Sequence, residues 1–381
     1  MDILFLSVST GGGHLKAAEA IKDAVEDRFP EARTMIVDAL NYISPTVDKL
    51  IVGGYLGLLK KTPGVYGKLY ELSEAGDSIH DICFAANSLF ALKLRKLIDD
   101  FMPSVIVCTH TFPFHMLSSL KRRGKVDIPV AAVVTDYASH PFWEHNNINA
   151  LIVPHELVKK EMIMRGMPAE MIYPYGIPID KCFLERKDKA ELFKEFDLDD
   201  KFTVLVMGGS LGFGKLDLVF ESLLKSRYDI QIIAVTGYNT KLKNHLERDY
   251  FNKDKKIRIF SYTDRISDLM DIADLIITKP GGMTIAEALV KGLPMLILSA
   301  IPGQEERNAN FLVSNGAAIK MSDFKDIDES FHHIFSNPSC MKQMKKAAQK
   351  LARPNSAENI ASLLKKLSSG NIRVQAKSNY Q

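Results

Sequence analysis

The sequence predicts an α/β protein built from two doubly wound, Rossmann-like units. Three observations lead there. Short apolar strand patterns alternate with helix patterns from one end of the chain to the other, the arrangement of parallel sheets covered by helices. A glycine-rich loop follows the first strand of each half, Gly11-Gly12-Gly13 in one and Gly208-Gly209 in the other, where open α/β sheets receive ligands. Between the halves, Tyr173-Pro174-Tyr175-Gly176-Ile177-Pro178 is stiff and turn-rich, and the polar stretch Glu185 to Lys201 leads into the next strand. The units are expected over residues 1–180 and 181–352, with a C-terminal helix and polar tail over 353–381.

In chain order, the first half carries strand patterns at Ile3 to Val8, Thr34 to Asp38, Val105 to Thr109, Val130 to Thr135 and Ala150 to Val153. The second repeats the scheme at Thr203 to Met207, Ile230 to Val235, Ile257 to Phe260, Leu275 to Thr278 and Met295 to Leu298, and a last helix is expected at Ala357 to Leu367. Tyr42 to Ala91 interrupts the alternation with a helical pattern rich in Leu, Tyr, Val and Gly, too long for one crossover. It reads either as a surface that meets lipid or as a helical hairpin packed on its own domain. Lys121-Arg122-Arg123-Gly124-Lys125 is the one concentrated basic patch, either a contact for anionic lipid or a solvated loop.

With 381 residues, 46% hydrophobic and 25% charged, the chain is long enough for two domains. A net charge of +3 gives no nucleic-acid footprint. Cys83, Cys108, Cys182 and Cys340 are scattered, which argues for reduced thiols in a cytoplasmic setting. MDILFLSVSTGGGH lacks a basic n-region and breaks into glycines too early for a signal peptide, so it is expected to be the first strand. No run approaches the roughly 20 apolar residues that span a bilayer, so any membrane contact is expected to be peripheral.

Four stretches carry candidate chemistry. Gly12, Gly13 and His14 close the first loop, where backbone can approach a phosphate or sugar and an imidazole can exchange a proton near neutral pH. Thr135-Asp136-Tyr137-Ala138-Ser139-His140-Pro141-Phe142-Trp143 follows a strand's carboxyl end. Asp136 or His140 there can orient or deprotonate a hydroxyl, and Trp143 offers a flat surface to a sugar or lipid, although Asp136 equally suits a helix cap. Gly208, Gly209 and Ser210 can present N–H groups to a diphosphate, with the end of the Phe260-Ser261-Tyr262 strand beside a base.

The richest stretch is TKPGGMTIAEALVKGLPMLILSAIPGQEERN, residues 278–308. Pro280-Gly281-Gly282 ends a strand and Met283 follows. A helix is expected to start at Thr284, which can cap it, and Glu287 one turn in can accept a pair of ribose hydroxyls. Asp197-Leu198-Asp199-Asp200 sits where Asp commonly forms turns and reads as a linker rather than a metal site. No metal or cofactor is expected.

In this order, GGGH, TDYASHPFW, MGGSLGFG, TKPGGMTIAEA and PGQEERN resemble the monogalactosyldiacylglycerol synthases and the processive diacylglycerol β-glucosyltransferases, over roughly residues 1–365. The resemblance implies a GT-B fold with a cleft between its domains. It also implies inverting, metal-independent transfer of a hexose from a UDP-sugar to diacylglycerol, and peripheral attachment to the inner face of the cell membrane. Glu287 would then bind the uridine ribose. Gly208, Gly209 and Thr284 would face the diphosphate, Gln304 and Glu305 the donor sugar's hydroxyls, and His14 and Asp136 would serve catalysis at the acceptor. UDP-glucose is preferred to UDP-galactose because TKPGG resembles the bacterial glucosyl members. Departures at Ser210-Leu211 and Glu306-Arg307 bear on the donor sugar. The competing readings are a UDP-GlcNAc-dependent transferase acting on a polyprenyl-linked wall precursor, and a UDP-sugar sensor without catalysis.

Overall fold

Twelve strands are placed among the described residues, six in each of two all-parallel sheets. The computed structural model describes residues 1–9, 12–46, 91–144, 147–209, 216–250, 255–298 and 303–370. The chain separates into two units, one running to Asp180 and resuming at Arg353, the other comprising Lys181–Ala300 and Gln304–Ala352. Most of the long interruption in the alternation, residues 47–90, lies outside the described residues, as do Ser210 and the tail from 371.

In the first unit, β1 (Asp2–Ser7), β2 (Arg33–Asp38), β3 (Val105–Cys108), β4 (Val130–Val133), β5 (Ala150–Ile152) and β6 (Ile172–Tyr173) lie in the order β2-β1-β3-β4-β5-β6. Its helices are α1 (Gly13–Arg28), α2 (Ala39–Ile43), α3 (residues 91–101), α4 (Thr111–Arg122) and α5 (Glu156–Met164). The second unit has β7 (Thr203–Met207), β8 (Gln231–Val235), β9 (Ile257–Phe260), β10 (Leu275–Thr278), β11 (Met295–Ile297) and β12 (Ala318–Lys320), ordered β12-β11-β10-β7-β8-β9. Its helices are α6 (Lys189–Glu195), α7 (Leu216–Lys225), α8 (Thr240–Tyr250), α9 (Ile266–Ile272), α10 (Gly282–Val290), α11 (Gln304–Ser314), α12 (Ile327–Ser336) and α13 (Pro338–Leu351). A last helix, α14 (Ser356–Ser368), belongs to the first unit.

The central strands are largely apolar because both faces of each sheet are covered. In the first sheet Leu4, Leu6, Ile106, Val130 and Leu151 face one core, which α3, α4 and α5 fill with Leu94, Phe114, Leu117 and Met162. The alternate residues Ile3, Phe5, Val105, Val107 and Val133 face another, filled by Ala18, Ile21 and Val25 of α1 and by Ile360, Leu363, Leu364 and Leu367 of α14. All ten expected strands are present. One edge strand of each sheet was not foreseen: β6 ends inside the passage read as a turn-rich link, and β12 is three residues long. The C-terminal helix, expected as a segment apart, instead supplies a wall of the first core. Lys121 of the basic patch turns inward, donating to the Ile128 carbonyl at 2.8 Å, so that residue is not a headgroup contact.

The start of α14 is held by a tight fit. Gly176 has φ +100°, a Cβ there would stand 2.4 Å from the Arg353 Cβ, and the buried Ser356 hydroxyl donates to the Gly176 carbonyl at 2.8 Å. Gly176→Ala meets both a left-handed backbone and a collision that no rotamer relieves. We expect it to lower the unfolding midpoint of the first unit by about 5 °C or more, read by calorimetry.

Each sheet reverses its winding once. Chain order runs from β1 out to β2 and then returns to β3 on the other side of β1, so the loops after β1 and β3 diverge. In the second sheet β7 leads to β8 and β9 before the chain returns to β10 beside β7. A ligand crevice belongs at each such point, outside the carboxyl ends of the strands.

Candidate functional site

At the first reversal, α1 starts one residue after Gly12, whose φ of 84° turns the chain without any side-chain cap. Gly13 opens the helix and His14 stands in its first turn. The His14 Nδ1 lies 2.8 Å from the Thr109 carbonyl, just past β3, and 3.0 Å from the Thr135 hydroxyl, past β4. Thr109 is itself tied to the end of β1, its hydroxyl donating to Ser7 Oγ at 3.0 Å. A carbonyl oxygen can only accept, so Nδ1 carries the hydrogen and the lone pair of a neutral imidazole falls on Nε2.

Burial lowers the His14 pKa below the ordinary 6.5, opposed by the Asp136 carboxylate and the Thr109 carbonyl, and the net direction is down. The ring is therefore neutral at pH 7 and able to take a proton. Asp136 is half-buried and acts on it through its charge. His110 closes the other side, edge-on to His14 with centroids 4.6 Å apart. Its own pKa is held well below 6.5 by burial and by its histidine neighbours, so it adds no positive charge there.

One expectation for this region is corrected. Trp143 is 5% exposed and tilts against Phe114 at 5.4 Å inside the core, so it offers no surface to a sugar or lipid. The chain turns inward there because Pro141–Trp143 forms a single 3₁₀ turn. His140 caps that turn, its Nδ1 accepting from the Phe142 N–H at 3.1 Å, and its ring lies edge-on to Phe142 with centroids 4.5 Å apart. Thr109, His110 and Thr135 were not singled out from sequence. The one available signal was the His-Thr-Phe run after β3, matching His-Pro-Phe after β4.

At the second reversal the loop after β7 presents Gly208 and Gly209. Gly209 has φ +72°, and a Cβ there would stand 2.9 Å from Cε of Lys279, the residue that follows β10. Lys279 Nζ pairs with Glu305 at 2.7 Å, and the buried Asn308 amide donates to the Pro280 carbonyl at 3.0 Å. Both bonds latch the first turn of α11, with Gln304 and Glu305, to the Pro280-Gly281 corner.

The helix after that corner differs from expectation. It starts at Gly282, with Gly281 as an N-cap in extended conformation and no side-chain cap, so Thr284 stands inside the first turn and does not cap it. Gly281 can serve because an N-cap needs an extended backbone more than a side chain. The first intrahelical bond is Ile285 N–H to the Gly281 carbonyl, 3.0 Å. The N–H groups of Gly282, Met283 and Thr284 therefore have no carbonyl of the helix to bond. Among the described residues, no atom lies within 4 Å of where a Gly281 Cβ would be. Glu287 is half-buried one turn further along the same helix.

Backbone donors, a helix N-terminus and a lysine so arranged suit a doubly charged phosphate group. Lys279 was missed from sequence although it sits inside the quoted motif, because a lysine after a strand carries no sign of where it folds. Tyr262, past β9, is 46% exposed and stacks face to face on Tyr238, past β8, at 4.5 Å.

Among the described residues, no three His, Cys, Asp or Glu side chains are grouped to hold a metal ion, and no helix is long and apolar enough to cross a membrane.

Comparison with known proteins bears on both units. Residues 14–179 match the monogalactosyldiacylglycerol (MGDG) synthase family model, and residues 203–360 match the glycosyltransferase family 28 C-terminal domain. A processive diacylglycerol beta-glucosyltransferase of Bacillus licheniformis is 32% identical over 368 residues, covering 94% of this chain and 93% of that protein. In fold, the chain is similar to the crystal structure of Acinetobacter baumannii MurG (TM-score 0.63, 14% identity, 96% and 99% of the two chains). It is also similar to an S. aureus MnaA-UDP structure (TM-score 0.64, 14% identity, 100% of both). The architecture is thus GT-B, and the agreement in sequence runs through both units and nearly the full length of the relative. On those grounds the chain belongs to the family of monogalactosyldiacylglycerol synthases and processive diacylglycerol β-glucosyltransferases.

Proposed function

We propose that this protein transfers a hexose, glucose in preference to galactose, from a UDP-sugar to diacylglycerol with inversion at the anomeric carbon. The observation that carries the proposal is the corner where Lys279 lies over the bare backbone of Gly209 beside the N-terminus of α10. Glycosyl transfer from a nucleotide sugar releases a diphosphate, and that corner neutralises the charge that grows as the sugar–oxygen bond breaks. No metal or cofactor is assigned a part. The acceptor and the preference for glucose rest on the kinship with a diacylglycerol β-glucosyltransferase.

The chemistry is a single displacement. His14 Nε2 accepts the proton of the acceptor hydroxyl, the hydroxyl oxygen attacks the anomeric carbon, and the bond from that carbon to the β-phosphate oxygen breaks. The Asp136 charge stabilises the imidazolium formed, and UDP departs toward Lys279 and the N–H groups of Gly282, Met283 and Thr284. Glu287 holds the ribose hydroxyls, Gln304 and Glu305 the hydroxyls of the hexose, and Gly208 and Gly209 the diphosphate. Diacylglycerol resides in the bilayer, so the protein meets it as a peripheral protein on the cytoplasmic face.

UDP-glucose and UDP-galactose, supplied separately with diacylglycerol in detergent micelles, test the reading when products are resolved by mass. Faster transfer from UDP-glucose is expected. Faster transfer from UDP-galactose overturns the donor choice, and UDP release that requires a polyprenyl-linked acceptor overturns the lipid. Glu287→Ala is expected to raise the donor KM by about 10- to 100-fold with kcat little changed, because hydrogen bonds to a charged group hold ribose equally before and during transfer. An unchanged KM removes the ribose role.

A further inference from the structure

We propose that the exposed face of α13 is a docking surface for an anionic lipid bilayer. The helix reads PSCMKQMKKAAQKL, with four lysines and no acidic residue. Met344, Ala348 and Leu351 are buried, whereas Lys342, Lys345, Lys346 and Lys350 are all exposed. At about 100° per residue the four lysines fall on one arc, opposite the buried stripe.

Several cations on other exposed helices are ion-paired within their own helix. Lys16 and Lys22 of α1 pair with Glu19 and Glu26, Lys243 of α8 with Glu247, Lys225 of α7 with Glu221, and Arg165 beside α5 with Glu161. Lys342, Lys345 and Lys346 form no ion pair with any described residue. Lysines three and four apart on one helix repel each other, so this face lowers the helix's own stability. A flat anionic surface relieves the repulsion by matching charge to charge, and a leaflet rich in anionic headgroups is such a surface.

The choice of a bilayer over another polyanion rests on the proposed acceptor, which is found only there. The chain is nearly neutral overall, and this helix carries four lysines with no acidic residue to offset them. The contact is electrostatic, so it weakens with salt and does not require burial of an apolar group.

The test uses full-length protein and vesicles that contain neither diacylglycerol nor donor. Flotation is measured on phosphatidylcholine vesicles with and without phosphatidylglycerol, at low and high salt, for the wild type, for K342Q/K345Q/K346Q/K350Q and for the matching fourfold Lys→Arg variant. The glutamine variant should partition at least about tenfold less onto the anionic vesicles, and the arginine variant as the wild type does. Equal partitioning of wild type and glutamine variant overturns the proposal, as does an equal loss on neutral vesicles. Capture of homopolymer RNA that depends on these lysines, with vesicle binding unaffected by the glutamines, overturns it in favour of a nucleic-acid partner. Turnover of micelle-dispersed diacylglycerol by the glutamine variant should stay within about twofold of wild type. That arm reports on the transferase reading alone, so the two can fail separately.

Discussion

His14→Ala is expected to lose about 10²- to 10⁴-fold in kcat, with the donor KM little changed, because the proposed mechanism makes His14 the proton acceptor and gives it no donor contact. The geometry makes the prediction specific. Thr109 fixes the hydrogen on Nδ1 and burial keeps the ring neutral, so catalysis should need only the unprotonated form. In the wild type, kcat should then fall on the acid side with an apparent pKa below 6.5, the direction in which burial moves His14. Asp136 pulls that value upward. Asp136→Asn should accordingly shift the acid limb to still lower pH and reduce the plateau, a movement that a purely structural aspartate would not cause. Near wild-type kcat in His14→Ala would end the assignment.

The same shift bears on stability. The folded His14 and His110 have pKa values below their unfolded value, so at pH between the two the unfolded chain binds more protons. Their contribution is complete above about 6.5 and is lost as pH falls through the folded values. Thermal unfolding of the first unit should move to lower temperature on mild acidification, and His110→Asn should flatten that dependence.

Lys279→Met is the second large effect, expected to lower kcat/KM by about 10²- to 10³-fold and to weaken inhibition by UDP alone. Methionine keeps an unbranched apolar chain over Gly209 but removes the charge, and it also leaves the Glu305 carboxylate, only 15% exposed, without its 2.7 Å ion pair. A carboxylate no longer neutralised by Lys279 would then oppose a diphosphate. Glu305→Gln separates the two causes: a normal UDP inhibition constant in Glu305→Gln beside a weakened one in Lys279→Met assigns the effect to the lysine. Undiminished UDP affinity in Lys279→Met would remove Lys279 from the diphosphate site. Gly209→Ala offers an independent check, since a side chain at φ +72° would press on Lys279 Cε and displace the ammonium from the corner.

Much of this architecture could be read from the chain because parallel strands buried on both faces are written as uninterrupted apolar runs. Ile3 to Leu6, Val204 to Met207 and Leu275 to Ile277 announce themselves in that way, and the glycines that follow mark the places where the chain turns at a ligand. The edge strands Ile172–Tyr173 and Ala318–Lys320 are too short to leave a pattern. Local signals also failed where tertiary packing decides. Trp143 follows a strand end just as Asp136 does, and only the fold shows that one turns inward while the other stays near the crevice. Thr284 has the right side chain for a cap, yet Gly281 already has the right backbone. Lys279 acquires its place from Gly209, 70 positions earlier in the chain, a proximity that the strand order β10-β7 creates and local sequence cannot express.

The placement of α14 also sets an order of events during synthesis. Ile360, Leu363, Leu364 and Leu367 complete the core around Ile3, Phe5 and Val105, residues made far earlier in translation. The second unit has all of its own chain once Ala352 has emerged, whereas the first, though begun earlier, has one face of its sheet covered only in part, by α1, until α14 leaves the ribosome. The nascent protein thus matures in the reverse of its reading order. A chain stalled before Arg353 would present a finished second unit joined to an unfinished first unit, with apolar sheet surface for chaperones to bind.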